Sequence, residues 1–205
     1  MTIPLMIVGD NREDFTTYVE ADPQPCLTVT PSLARAVAMD RDHDTWLYKD
    51  YGANHFQYFT HEMTFTLRAL EGVTNRGIML FWAVSDSIDD AQAWEVAHPE
   101  ARYAHLHSPN TFAIRDTKLV NLDTHVYGGT MLDTPIYFRV THLEASPTVL
   151  SLRAYSDMAR TVLLFTVAIT VTAATKYQHV FAVNSHNSGD NPKVTADVEA
   201  LRLNE

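Results

Sequence analysis

Cysteine is nearly absent from this chain: Cys26 is the only one in 205 residues. A single thiol excludes an intrachain disulfide and any cysteine-based metal site. Basic residues are scarce as well. Lys and Arg number 15 against 25 Asp and Glu, for a formal charge of −10 and a sequence pI near 5.4. That balance speaks against nucleic acid and anionic lipid as partners, since both are gripped through clustered cations. There are 7 glycines, no Gly/Ser linker, no low-complexity segment and no alignable repeat. No composition shift marks a boundary, so one domain is expected over 1–205.

Long hydrophobic runs are also missing. The most apolar run is T-V-L-L-F-T-V-A-I-T-V-T-A-A, over 161–174. It is shorter than the ~20 residues that span a bilayer as a helix. Its rhythm has a period of two: Leu163, Phe165, Val167, Ile169 and Val171 fall on one side, and Leu164, Thr166, Ala168, Thr170 and Thr172 on the other. β-Branched residues alternating in this way make a strand with one face in a core.

The N-terminus, M-T-I-P-L-M-I-V-G-D-N-R-E-D, carries no basic region and no apolar stretch long enough for a signal peptide. The protein therefore stays in the cytoplasm, reaches a virion or the extracellular surface by lysis or assembly, or has lost a leader. Residues 1–14 read as an arm able to add to a neighbour's sheet, or as an edge strand of their own domain.

Along the remainder, clusters of Pro, Asp, Asn and Gly separate strand-like segments at 15–20, 26–30, 33–39, 45–49, 58–69, 76–84, 101–107, 110–116, 118–122, 134–143, 148–156, 161–172, 176–186 and 193–203. In I-Y-F-R-V-T-H, Ile136, Phe138 and Val140 point one way and Tyr137, Arg139 and Thr141 the other. Asp157 is placed to hold backbone N–H groups of an Asx-type turn that includes Arg160. One helix is expected, about 86–97, capped by Ser85 or Ser87, with Asp86, Asp89 and Asp90 early and Pro99 ending it. A dozen strands and one helix make an all-β, antiparallel two-sheet sandwich with a short inserted helix.

The stretches D-F-T-T-Y-V-E-A-D-P, Y-K-D-Y-G-A-N-H-F, G-I-M-L-F-W-A-V-S-D, I-Y-F-R-V-T, R-A-Y-S-D-M-A-R-T-V-L-L and V-F-A-V-N-S-H-N-S-G resemble the concanavalin A-like lectin/glucanase superfamily. More narrowly they resemble its laminin-G-like jelly-roll modules of the bacterial and phage type, over roughly 14–203. The resemblance implies a jelly-roll sandwich, but its members include lectins, enzymes and virion parts, so it does not fix a role. It also implies a structural Ca²⁺ where first and last strands meet; Asp14 and Asp197 are the matching oxygen donors.

Catalytic signatures of that superfamily are not found. Its glucanases place two carboxylates about 5–5.5 Å apart on one strand face, written E-x-D-x-x-E; none of the glutamates here has such a partner. The jelly-roll alginate lyases carry Q-I-H or Q-V-H, and Tyr177-Gln178-His179 offers the letters in another arrangement. There is no G-x-S-x-G elbow and no Gly-rich phosphate loop. His105 and His107 share a strand face and could ligate a metal only with a third ligand from elsewhere. A sugar site needs an aromatic ring and convergent polar groups; the set to inspect is Trp82, Trp94, His105, His107, Arg115, Asn184 and His186.

The expectation is a non-catalytic module acting as a virion or surface decoration protein, bound to capsid or other virion proteins and self-associating, with glycan-binding ability. The alternatives are a carbohydrate-binding lectin-type module and a divergent polysaccharide hydrolase or lyase.

Overall fold

The computed structural model describes residues 12–72, 77–97, 100–129, 131–144, 148–171, 175–186 and 192–204. Fourteen strands are found there. They are β1 Val19–Ala21, β2 Leu27–Thr30, β3 Leu33–Asp40, β4 Trp46–Asp50, β5 Phe59–Glu71, β6 Met79–Ser85, β7 Ala101–Ser108, β8 Thr111–Asp116, β9 Asn121–Val126, β10 Ile136–His142, β11 Val149–Tyr155, β12 Leu163–Thr170, β13 His179–Ser185 and β14 Lys193–Asn204. β10 and, from Phe165, β12 follow the period-two burial expected of a sandwich, while β6 and β13, covered on both faces, are buried at every position. The helix α1 is Ala91–Ala97.

Two antiparallel seven-stranded sheets result. Sheet 1 runs β1-β4-β13-β6-β7-β8-β9 and sheet 2 runs β12-β11-β10-β5-β14-β3-β2. This is the all-β antiparallel sandwich read from the alternation, in the jelly-roll form that the resemblance implies. β10 shows how that reading works: Ile136, Phe138, Val140 and His142 are buried while Tyr137, Arg139 and Thr141 are half-buried on the other side. From Phe165 onward the apolar run behaves likewise, with Phe165, Val167 and Ile169 inside and Thr166, Ala168 and Thr170 outside. Leu163, placed on the core face by the alternation, is instead exposed and Leu164 packs on the core, because the pairing register shifts between Ala154 and Tyr155. Among the described residues no helix is long and apolar enough to cross a membrane.

One apolar cluster takes side chains from both sheets. Phe65, Phe81, Phe112, Phe138 and Phe165 meet at its centre, with ring centroids 4.9–6.4 Å apart. At one end of that interior lies a buried ion pair. Arg102 donates to Asp116 at 2.9 Å, and Arg102 and Asp116 have side chains 0% and 3% exposed. His142 Nε2 sits 3.1 Å from the guanidinium, and the ring of Tyr177 lies 5.2 Å beneath it. Deeper in, Trp82 Nε1 donates to His61 Nδ1 at 3.0 Å.

Three boundaries differ from the sequence reading. Strand 15–20 is a single 3-10 turn, Phe15–Thr17, followed by β1, because Asp14 accepts from the N–H and the hydroxyl of Thr16. The helix starts at Ala91 instead of 86: Asp90 is the cap, accepting from Ala93 N at 2.8 Å. Upstream, Ser85 belongs to β6, and Asp86 is drawn away to accept from Gln178 N. The strand expected at 118–122 forms later, as β9, since residues 117–120 make the turn whose Leu119 N–H is held by Asp116. Pro99, the proposed helix stop, and most of the 1–14 arm lie outside the described residues.

Candidate functional site

The outer face of sheet 1 collects most of the residues singled out in the sequence. α1 lies over it, and Trp94 packs with Tyr103, Phe181, Leu80 and Ala83 in a second small core. Beside that core Glu95 is a hub. It accepts from Tyr103 Oη at 2.5 Å and Arg115 Nη1 at 2.9 Å, and lies 3.2 Å from His186 Nε2. His186 Nδ1 in turn faces Arg41 at 3.3 Å, and His105 Nε2 lies 3.1 Å from His107 Nδ1. Burial pushes the Glu95 carboxyl up, but the bonds from His186 and Tyr103 and the charges of His186 and Arg115 outweigh it and hold the group down to about 2. His105, wholly enclosed, is pushed well below the usual imidazole range by burial and then by His186.

Gly77 explains how two imidazoles fit there. A Cβ at this position would run into the ring of His186 and come within 3.2 Å of His105 Cδ2. Glycine thus lets the backbone approach, and its carbonyl accepts from Arg41 Nε at 2.5 Å.

The structure therefore brings His105, His107, Arg115 and His186 into one network, with Trp94 alongside. Asn184 lies beneath the same helix, donating to the Asp89 carbonyl at 2.9 Å. Trp82 stands apart, between the sheets. At 0% and 1% exposure, Trp82 and Trp94 offer no surface for a sugar to stack on, and this face is filled by α1. Glu95, Tyr103 and Arg41 complete the network and were not picked out in the sequence.

The outer face of sheet 2 is different: it is open and charged. Registry aligns one row across it, Arg202–Glu62–Arg139–Arg153, and a second, Glu199–Thr64–Tyr137–Tyr155. Arg35 and Arg68 close on Asp197 from two sides, at 2.5 and 2.8 Å. Glu62 is shared by three guanidiniums: Arg139 at 2.7 Å, Arg160 at 3.3 Å and Arg202 at 3.9 Å. Arg160 is delivered by the turn expected from the sequence, in which Asp157 accepts from the N–H groups of Thr161 and Val162. It also donates to the carbonyls of Phe138 and Met158.

Over the second row runs a groove of about 480 Å³. Thr64 and Thr66 belong to its buried lining, Tyr137 supplies a ring, and Arg12, Arg68, Arg160, Arg202, Asp133 and Glu199 supply charge. Sequence periodicity signals the outward Tyr and Arg of β10 but not their assembly, because the lining comes from segments up to 190 positions apart (Arg12 and Arg202).

Calcium at Asp14 and Asp197 does not fit the contacts seen. Asp197 is 1% exposed and both its oxygens accept from guanidinium groups, which would repel a cation. Asp14 spends one oxygen on Thr16. Among the described residues no three His, Cys, Asp or Glu side chains gather as a metal site.

No family model matches this chain, and no curated protein matches it in sequence. Solved structures do match in fold. The exoplasmic/lumenal domain of VIP36, in a Ca²⁺/Man3GlcNAc-bound form, superposes with a TM-score of 0.55 at 12% identity, covering 93% of this chain and 86% of that one. The carbohydrate recognition domain of Emp47p gives 0.51 at 14%, covering 94% and 96%. Lectin I-B4 from Griffonia simplicifolia, in its metal-free form, gives 0.52 at 13%, covering 91% and 86%. The fold is that of the concanavalin A-like lectins.

Proposed function

We propose that this chain is a carbohydrate-binding module of lectin type and that its saccharide lies in the groove of sheet 2. The observation that carries the reading is the groove's make-up: a ring at Tyr137, hydroxyls at Thr64 and Thr66, and charged donors and acceptors around them. Saccharides need this combination, because their C–H faces pack on rings while their hydroxyls demand fixed hydrogen-bond partners. The fold likeness supports it, since the superposing VIP36 and Emp47p domains are described as carbohydrate-bound or carbohydrate-recognising.

A decoration subunit would bury a large apolar contact on assembly; the charged outer face of sheet 2 favours a polar ligand instead. The reading draws on no calcium at Asp14 or Asp197. Its test is a glycan array probed with the wild-type chain and with Tyr137→Ala. Binding of a glycan class, weakened about tenfold by the substitution, is expected. Absence of any bound glycan, or equal binding by Tyr137→Ala, would count against it.

A further inference from the structure

We infer that Glu199 reads the ligand of this groove: its carboxylate accepts hydrogen bonds from two adjacent hydroxyl groups of one sugar unit, and a bulge at Ala200 aims it there. The inference rests on the groove being the saccharide site, and it goes further by naming the residue and the hydroxyl pattern that set specificity.

In a regular strand, positions 199 and 202 point to opposite faces. In β14 they share one. Glu199 stands opposite Thr64 and Arg202 opposite Glu62, so Ala200 and Leu201 together face the single residue Met63. This is a bulge, and bulges re-aim side chains. Leu201 turns into the core, while Glu199 and Arg202 both line the groove. Ala200 has a φ of +52°, the left-handed region, which is strained for a residue with a Cβ. Six non-glycine residues among those described take a positive φ, and three of them, Asp133, Arg160 and Ala200, line this groove. They come from three separate segments, and strain gathered in this way marks a functional site.

The neighbouring carboxylates are engaged: Asp133 with Arg68, Glu62 with Arg139 and Arg160, and Asp197 with Arg35 and Arg68. Glu199 differs. It feels the charge of Arg35, but that guanidinium donates to Asp197, and among the described residues no group donates a hydrogen bond to the Glu199 carboxylate. Its two oxygens can accept from two neighbouring O–H groups at once. Registry sets Glu199, Thr64 and Tyr137 side by side on β14, β5 and β10, so carboxylate and ring stand two strand spacings, about 10 Å, apart. A sugar packed on Tyr137 extends its hydroxyl edge over Thr64 toward Glu199.

The experiment is calorimetric titration of the full chain with methyl α-mannoside, methyl β-galactoside and methyl β-glucoside, each with its monodeoxy analogues. At least one parent glycoside should bind, and Glu199→Ala should weaken it about tenfold. Removing either of the two adjacent hydroxyls should weaken binding to the wild-type chain about tenfold, yet change binding to Glu199→Ala less than about threefold, because the partner is already gone. A merely structural Glu199 would give no such coupling. Ala200→Gly, which takes a positive φ without strain, should leave affinity unchanged. Ala200→Val, β-branched at the same φ, should lower it about tenfold. Glu71→Gln, exposed on the same sheet but outside the groove lining, should leave it unchanged. Urea melts of each variant separate lost binding from lost folding. Equal binding by the wild-type chain and Glu199→Ala, or equal deoxy losses in the two, would overturn the inference and leave the groove as a saccharide site. Unchanged binding by Ala200→Val would overturn the role of the bulge. Binding of none of the three glycosides would overturn both readings.

Discussion

Replacing Asp116 by Asn tests the physical account of the interior. The two groups of the Arg102–Asp116 pair lie 2.9 Å apart and are almost wholly removed from water. Breaking such a pair from one side costs roughly 3–5 kcal/mol, because the surviving charge is left buried without its counter-ion. Here the lower end applies. His142 Nε2 still accepts from Arg102, the ring of Tyr177 still lies beneath the cation, and an asparagine oxygen can still accept from Leu119 N. The predicted loss is about 3 kcal/mol, or a melting temperature lower by roughly 6–12 °C for a chain of this size. Urea unfolding followed by tryptophan fluorescence would measure it. Adding Arg102→Met removes the stranded cation and should recover about 2 kcal/mol of that loss. A loss below about 1 kcal/mol from Asp116→Asn, or a further loss on adding Arg102→Met, would refute the reasoning.

Other consequences follow from the same contacts. Burial pushes His142 down to about 4 and His61 down to about 3. In the unfolded chain both protonate near 6.5, so stability is full above that pH and declines as pH falls toward 4; a melt series should show about 5 kcal/mol lost between pH 7.5 and 4.5. Glu95 has the same sign in a lower window: its contribution is complete above 4.5 and disappears as pH falls through about 2. Glu95→Ala leaves the buried Tyr103 hydroxyl without its acceptor and separates Arg115 and His186 from their carboxylate, which should cost about 2 kcal/mol in chemical denaturation. Gly77→Ala presses a methyl group into His186, a ring held between Arg41 and Glu95, and should cost about 1–3 kcal/mol in a thermal melt.

Much of the fold was legible in the sequence because burial in a sandwich is written at a period of two. β10 and most of β12 could be read from local alternation alone. The helix start was not, because a run of Asp and Ser residues suits several caps equally well, and only tertiary partners decide among them. Asp86 is diverted by Gln178, and Asp90 takes the capping role. The hub on sheet 1 was half legible: paired strand histidines and the end of β13 drew attention, but Glu95 looked like any exposed position of a short helix. The groove was the least legible part. Its arginines come from segments distant in sequence, and only strand registry sets Arg202, Glu62, Arg139 and Arg153 in one row. Net charge also concealed it, since an acidic total says nothing about where the few cations stand.

The most direct test of the saccharide-binding account is a titration of the isotopically labelled chain with the tightest glycan found on the array, followed by amide chemical shifts. The groove account predicts that the shifts concentrate on β5, β10 and β14 around Thr64, Tyr137 and Glu199. Shifts gathered instead on α1, β7 and β8 around Glu95, or spread without focus, would contradict it.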